Sequence, residues 1–294
     1  MKTLLRLSAL SVLCIATPAC SAEQTSYADG AVEAQSGFPD SAWRTVDPEN
    51  LMLIDTAYGM LGVELYPEIA PLHVAQIKSL TRSGFYDGVT FHRVIDGFMN
   101  QTGDGRNGDG TGDSDLPNIP AEFNFRRGDD MPVTLVSTRS EEEAGALATG
   151  FYKALPVVSQ PISQAILTQD GKVGAMGLHC PGVTSMARAS DPNSANSQFF
   201  LMRGKAEHLD NSYSIWGNTV SGRDALTAFK VGTVGDVPGF VPDQMNRVRI
   251  AADLPEEDRP TIQVLDTQSD AFSDWIETQS YDDICDIDIP SRTL

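Results

Sequence analysis

Cysteines, cations and long apolar runs are all scarce in this sequence, and each scarcity removes a class of protein. Four cysteines in 294 residues are too few for a disulfide scaffold, and a chain of this length buries a core without such staples. Lys and Arg number 21 against 40 Asp and Glu, a net charge of −19. Affinity for nucleic acid is built from cations that displace counterions from phosphates, so this balance argues against a nucleic-acid partner. It argues equally against an anionic membrane surface. Nowhere does the chain reach the roughly 18 consecutive apolar residues that a spanning helix needs, so no transmembrane segment is expected. The four histidines, His73, His92, His179 and His208, form neither an H-x-x-x-H pair nor a Cys/His cluster of zinc spacing, and no G-x-S-x-G elbow occurs. No metal and no cofactor is expected.

What the N-terminus does have is an export pattern. Lys2 and Arg6 precede an apolar run from Leu7 to Thr17, followed by the small residues Ala19, Cys20, Ser21 and Ala22, as in a cleavable signal peptide covering 1–22. Thr17-Pro18-Ala19-Cys20 also resembles a lipoprotein cleavage site, with Thr17 where a Leu is usual, so cleavage alone and lipidation at Cys20 both stand. Residues 23–46 read as a flexible leader. The expected location is the periplasm, with or without a lipid tether. In that oxidising compartment Cys180 and Cys285 are candidates for a disulfide, the alternative being two independent thiols.

From Leu51 to Tyr66 apolar residues alternate around Gly59, which predicts an antiparallel hairpin with one face buried. Pro71 opens a run with Val74, Ile77 and Leu80 at helical spacing, closed by Gly84. Short apolar runs punctuated by Gly follow: Val89–Val94, Phe98–Gln101, Val183–Arg188, Gln198–Met202, Ser214–Asn218 and Val248–Ala251. Many short strands and few helices suggest an antiparallel sandwich or barrel. Short helices are expected at Arg223–Val231 and Asp270–Thr278. The globular domain is read as 47–294, with an insertion at about 125–170 carrying a helix-like Ser140–Leu147, and an acidic C-terminal extension from about 252.

Gly103-Asp104-Gly105-Arg106-Asn107-Gly108 matches G-x-G-x-x-G by letters, but Gly, Asp and Pro117 follow where a phosphate-binding helix must begin, so it reads as a surface loop. Its acids lack the spacing of a calcium loop. Just before it, Phe91-His92-Arg93-Val94-Ile95-Asp96-Gly97-Phe98-Met99-Asn100-Gln101 sets a cation and an amide among large apolar side chains. By composition alone this is a core strand with Arg93 at its rim. The run nevertheless resembles the cyclophilin signature F-H-R-[VI]-I-x-G-F-M-x-Q-x-G-D. Ser185-Met186-Ala187-Arg188-Ala189 through Asn196-Ser197-Gln198-Phe199-Phe200, ahead of Leu209-Asp210, is similar to a second block of that family. Glu64-Leu65-Tyr66-Pro67-Glu68 and Gly84-Phe85-Tyr86-Asp87-Gly88 match as well. The similarity covers roughly Leu51 to Val231.

The resemblance implies a mainly β fold, a closed eight-stranded antiparallel barrel capped by helices, with its substrate groove outside the sheet. It implies peptidyl-prolyl cis–trans isomerisation of proline-containing polypeptides, assisting the folding of exported proteins; a monomer is the expected state, though the sequence does not fix it. Arg93 would donate to the imide nitrogen. Phe98, Met99, Phe200 and Leu209 would form the proline pocket, Gln101 and Gln198 would bind substrate backbone or hold Arg93, and Ala187 would line the next subsite. Three groove positions depart from the family: His208 stands for a usual Trp, Tyr213 for a usual His, and Arg188 for an uncharged polar residue, biasing substrates toward acidic or neutral flanks. Trp216, on a usual Phe, is expected in the core. The alternative is a non-catalytic module that holds proline segments or acts as a chaperone on the same fold.

Overall fold

The computed structural model describes residues 37–138 and 147–294. The signal, Cys20, most of the leader and the helix-like Ser140–Leu147, save its last residue, lie outside the described residues. In chain order the elements are β1 (Trp43–Thr45), β2 (Leu51–Thr56), β3 (Gly59–Leu65), α1 (Pro71–Arg82), β4 (Arg93–Ile95), β5 (Met99–Thr102), β6 (Phe125–Arg127), β7 (Thr134–Thr138), β8 (Ala148–Tyr152), β9 (Leu155–Ser159) and β10 (Val173–Gly177). Then come β11 (Val183–Met186), β12 (Phe199–Met202), β13 (Ile215–Ser221), α2 (Asp224–Ala228), β14 (Gly232–Thr233), β15 (Arg247–Ile250), β16 (Ile262–Leu265), α3 (Asp270–Thr278) and β17 (Ser291–Thr293). The fold is mainly β, with few helices.

The strands make three sheets: nine strands in the order β14-β4-β5-β12-β11-β13-β3-β2-β15, five in the order β6-β10-β9-β8-β7, and three in the order β1-β16-β17. The nine strands make a curled sheet, and among the described residues no ladder joins its end strands into the expected closed eight-stranded barrel. Instead the chain leading into β4 touches the chain leading into β15. Gly88 N–H donates to Met245 O (2.7 Å), Met245 N–H to Val89 O (2.9 Å) and Phe91 N–H to Asp243 O (2.8 Å).

Alternation along each strand separates two cores. Met52, Ile54, Leu61, Val63, Phe199, Leu201 and Trp216 fill the inside of the curl with Val74, Ile77 and Leu80 of α1. Leu51, Leu53, Met99, Phe200, Met202 and Ile215 face outward into a second cluster, with Phe151, Leu155 and Val157 of the five-stranded sheet and Ile262, Val264 and Leu265 of β16. The hairpin is thus buried on both faces rather than one: Gly62 approaches β16 so closely that a Cβ there would lie 2.5 Å from Ile262 Cδ1. A strand apolar on both faces reads the same way by period two whichever face is taken as outer, which is why its sequence alone does not disclose the second layer.

Two boundaries move. The leader predicted to be flexible to 46 ends earlier: Trp43–Thr45 pairs with Gln263–Leu265, and Arg44 caps the buried carboxylate of Glu64 with bonds of 2.7 and 2.9 Å. The insertion forms a sheet of its own that runs on to Gly177, past the expected 170. Cys180 and Cys285 are joined by a disulfide, tying the chain after β10 to the C-terminal extension.

Candidate active site

Register alone assembles the site. Arg93 on β4 stands opposite Gln101 on β5, Gln101 opposite Phe200 on β12, and Phe200 opposite Ser185 on β11. Directly opposed residues share a face, and Phe200 belongs to the outward cluster, so this row runs across the outside of the sheet. The turn between β4 and β5 needs Gly97 at φ 65°, a left-handed conformation costly for a side chain. Phe98 O accepts from the N–H groups of Arg203 (2.8 Å) and Gly204 (3.2 Å). Gly204 is so close that a Cβ would lie 2.0 Å from Gly97 O. This clamp carries Phe98 to the row's edge.

Nine residues line a cavity of about 160 Å³ there: Arg93, Phe98, Met99, Gln101, Ala187, Arg188, Phe200, Leu209 and Tyr213. All are residues singled out from the sequence. The other two, Gln198 and His208, stand behind this wall. His208 stacks on Phe98 with centroids 5.7 Å apart, and Gln198 accepts at Oε1 from Gln101 Nε2 (3.1 Å). Arg93 Nη1 donates to Gln101 Oε1 (3.1 Å), and Gln198 Nε2 donates to the carbonyls of Gly110 and Gly112, each at 2.9 Å. Each amide thus fixes the orientation of the next, ending on Arg93.

The anchor of that relay is the Gly-rich loop. Asp104, 2% exposed, accepts at its carboxylate from the backbone N–H groups of Arg106, Asn107, Asp109, Gly110 and Gly112, at 2.8 to 3.2 Å. Burial alone would raise this carboxyl. The converging N–H groups outweigh it and hold Asp104 far below the usual carboxylate range. Within the loop, Gly103 sits at φ 90°, where a Cβ would strike Ser197 O at 2.4 Å.

Beneath the pocket lies a group that the sequence reading did not place. The His179 ring stacks on Phe200 at 6.2 Å and meets Tyr213 edge-on at 6.5 Å. Its Nδ1 is 2.8 Å from Asp210 Oδ1 and its Nε2 is 3.1 Å from Ser185 Oγ, which itself donates to Ser214 O at 2.9 Å. Positions 179, 185 and 210 share no periodicity; the only clue to them is a histidine beside a cysteine. Trp216 is fully buried and packs edge-on against Phe199 at 5.3 Å. Among the described residues no group of three or more His, Cys, Asp or Glu could hold a metal ion, and no helix is long and apolar enough to cross a membrane.

The family model "cyclophilin type peptidyl-prolyl cis-trans isomerase/CLD" matches residues 51–251. A probable peptidyl-prolyl cis-trans isomerase of Brucella suis is 35% identical over 219 residues, covering 70% of this chain and 85% of that protein. The Brucella abortus counterpart is 34% identical over the same length. Among solved structures, that of the cyclophilin AquaCyp293 from Hirschia baltica superposes with a TM-score of 0.77 at 38% identity, covering 85% of this chain and 93% of that one.

Proposed function

The chain belongs to the cyclophilin-type peptidyl-prolyl cis-trans isomerases, and from that premise we propose how its groove performs the isomerisation and where. Rotation about an X-Pro bond is slow because amide resonance must be broken, at a barrier of roughly 18–20 kcal/mol. The reaction needs no nucleophile. It needs a surface that holds the proline and favours the twisted amide, whose nitrogen becomes pyramidal and accepts a hydrogen bond.

The observation that carries the reading is the Arg93 guanidinium, held by Gln101 at the wall of a cavity of about 160 Å³ that it shares with the apolar side chains of Phe98, Met99, Phe200 and Leu209. Phe98, Met99, Phe200 and Leu209 take the proline ring, whose burial supplies selectivity. Arg93 donates toward the imide nitrogen, and Gln101 and Gln198 keep it aimed so that little reorganisation remains at the transition state. The contact between 88–91 and 243–245 is the seam at which the curled sheet completes the family's barrel.

The setting is the periplasm and the clients are exported proteins, a reading supported by the N-terminal export pattern and by a disulfide that suits an oxidising compartment. Mass spectrometry of the mature N-terminus separates cleavage at Ala22 from a lipid on Cys20. The groove itself is tested by exchange NMR on an Ala-Pro peptide with the parent protein and Arg93→Ala. Acceleration that falls about 100-fold or more in the variant is expected; saturable binding without acceleration by the parent would overturn the catalytic reading in favour of a holding module.

A further inference from the structure

Resting on the groove assigned above, we infer that the site selects proline segments carrying a carboxylate beside the proline, and that Arg188 is the residue that reads it. The nine lining residues include two guanidinium groups and no acid. In a chain with 40 acids to 21 cations most arginines find a carboxylate: Arg44, Arg82, Arg106, Arg126, Arg203, Arg223, Arg249 and Arg292 all do. Among the described residues Arg93 and Arg188 do not, nor do Arg127 and Arg259, which lie outside the groove and are bonded to Ser159 Oγ and to the carbonyls of Ala252 and Leu254, respectively. Arg93 is committed to Gln101. Asp210, next to the lining residue Leu209, is taken by His179.

Arg188 is also held ready. Its guanidinium carbon lies 4.6 Å from the Tyr213 ring centroid and 5.6 Å from that of Phe123. Nε and Nη2 donate to Ser212 O at 3.1 and 2.9 Å, and Nη1 donates to Ala189 O at 2.9 Å. A guanidinium has five N–H bonds, so one on each terminal nitrogen is left to donate to a carboxylate. Because the plane is already fixed on its aromatic neighbours, binding costs little side-chain entropy. A half-exposed charge pair of this kind changes affinity about fivefold at most.

The whole molecule predicts the opposite. A net charge of −19 steers cationic peptides toward the protein, so a preference for acid has to come from the groove. The test uses peptides with Glu, Gln or Lys immediately before or after the proline, read by exchange NMR for rate and by shift titration for affinity. Expected is a Glu-to-Lys ratio of about five at one of the two positions in low salt, collapsing toward one at about 1 M salt. In Arg188→Gln the ratio falls to one or below; in Arg188→Lys it keeps its sign. The ratio is taken within each protein, so a general loss of activity does not enter, and the salt titration of the parent needs no variant.

Equal or Lys-favouring ratios in the parent overturn the inference, and so does a ratio that survives Arg188→Gln. If no peptide is accelerated, the catalytic reading fails by itself, while the affinity ratio still decides the carboxylate subsite.

Discussion

At the scale of single residues, the groove is held by groups outside its lining. Gln198 reaches Arg93 only through Gln101, so Gln198→Ala is expected to lower kcat/KM about tenfold, and to add little to an Arg93→Ala background, since coupled positions are not additive. A double-mutant cycle measures this, and full additivity would show that the relay does not position Arg93. Asp104 gives a pH signature. Its folded pKa is depressed, so its contribution to stability is complete above the unfolded value of about 4 and is lost as the pH falls below it. Asp104→Asn should flatten the acid limb of stability, measured by urea titration between about pH 5 and 2, and should also lower activity through Gly110 and Gly112. Arg93, Phe98, Met99 and Gln101 were legible in the sequence because one contiguous motif holds them. The role of Asp104 was not, because a carboxylate among glycines looks like any solvent-facing loop until its N–H partners are seen to converge. His179 and Asp210 were invisible for a different reason: 31 positions part them, and only the fold brings them beneath Phe200.

At the scale of elements, the helices and most strands follow from local pattern. Pro71, the Val74-Ile77-Leu80 spacing and Gly84 mark α1 within two residues of its observed span, and α3 matches its expected ends. β1 is the failure, and its cause is physical. Three residues, Trp43–Thr45, have no periodicity to read, and what makes them a strand is a partner more than 200 positions away. The strand also carries charge to a place that needs it. Glu64 is 2% exposed, facing the second layer on a strand whose inward positions Leu61, Val63 and Leu65 are apolar, and Arg44 supplies both of its charged bonds. Burying a carboxylate without its partner costs about 3–5 kcal/mol. Arg44→Ala should therefore destabilise the protein by about 3 kcal/mol in chemical denaturation, while Glu64→Gln with Arg44→Ala recovers part of that loss. A change below about 1 kcal/mol in the single variant would mean that water reaches Glu64 and that β1 is an ornament.

At the scale of the whole molecule, the residues outside the family's motifs build one thing: a second layer on the outer face of the curled sheet. The five-stranded sheet, β1 and the β16-β17 extension all join the cluster that contains Phe200 and Met99, so the back of the groove is packed by segments contributed from both ends of the chain and from its middle. The disulfide is the covalent expression of this arrangement. It spans 105 residues from Cys180 to Cys285, and closing a loop of that length removes unfolded-state entropy worth about 4–5 kcal/mol in the chain-entropy account. Cys180 directly follows His179, whose ring lies against Phe200, so the bond tethers the pocket's floor as well as the C-terminal segment. Reduction, or Cys285→Ser, should lower stability by about 4 kcal/mol and should raise KM more than it lowers kcat, because the proline pocket loosens while Arg93 keeps its bond to Gln101. Isomerisation kinetics with and without reductant, set beside a denaturation curve, separate the two effects. If stability falls with KM unchanged, the second layer only holds the fold together. If both move, as this packing requires, the layer helps to shape the pocket.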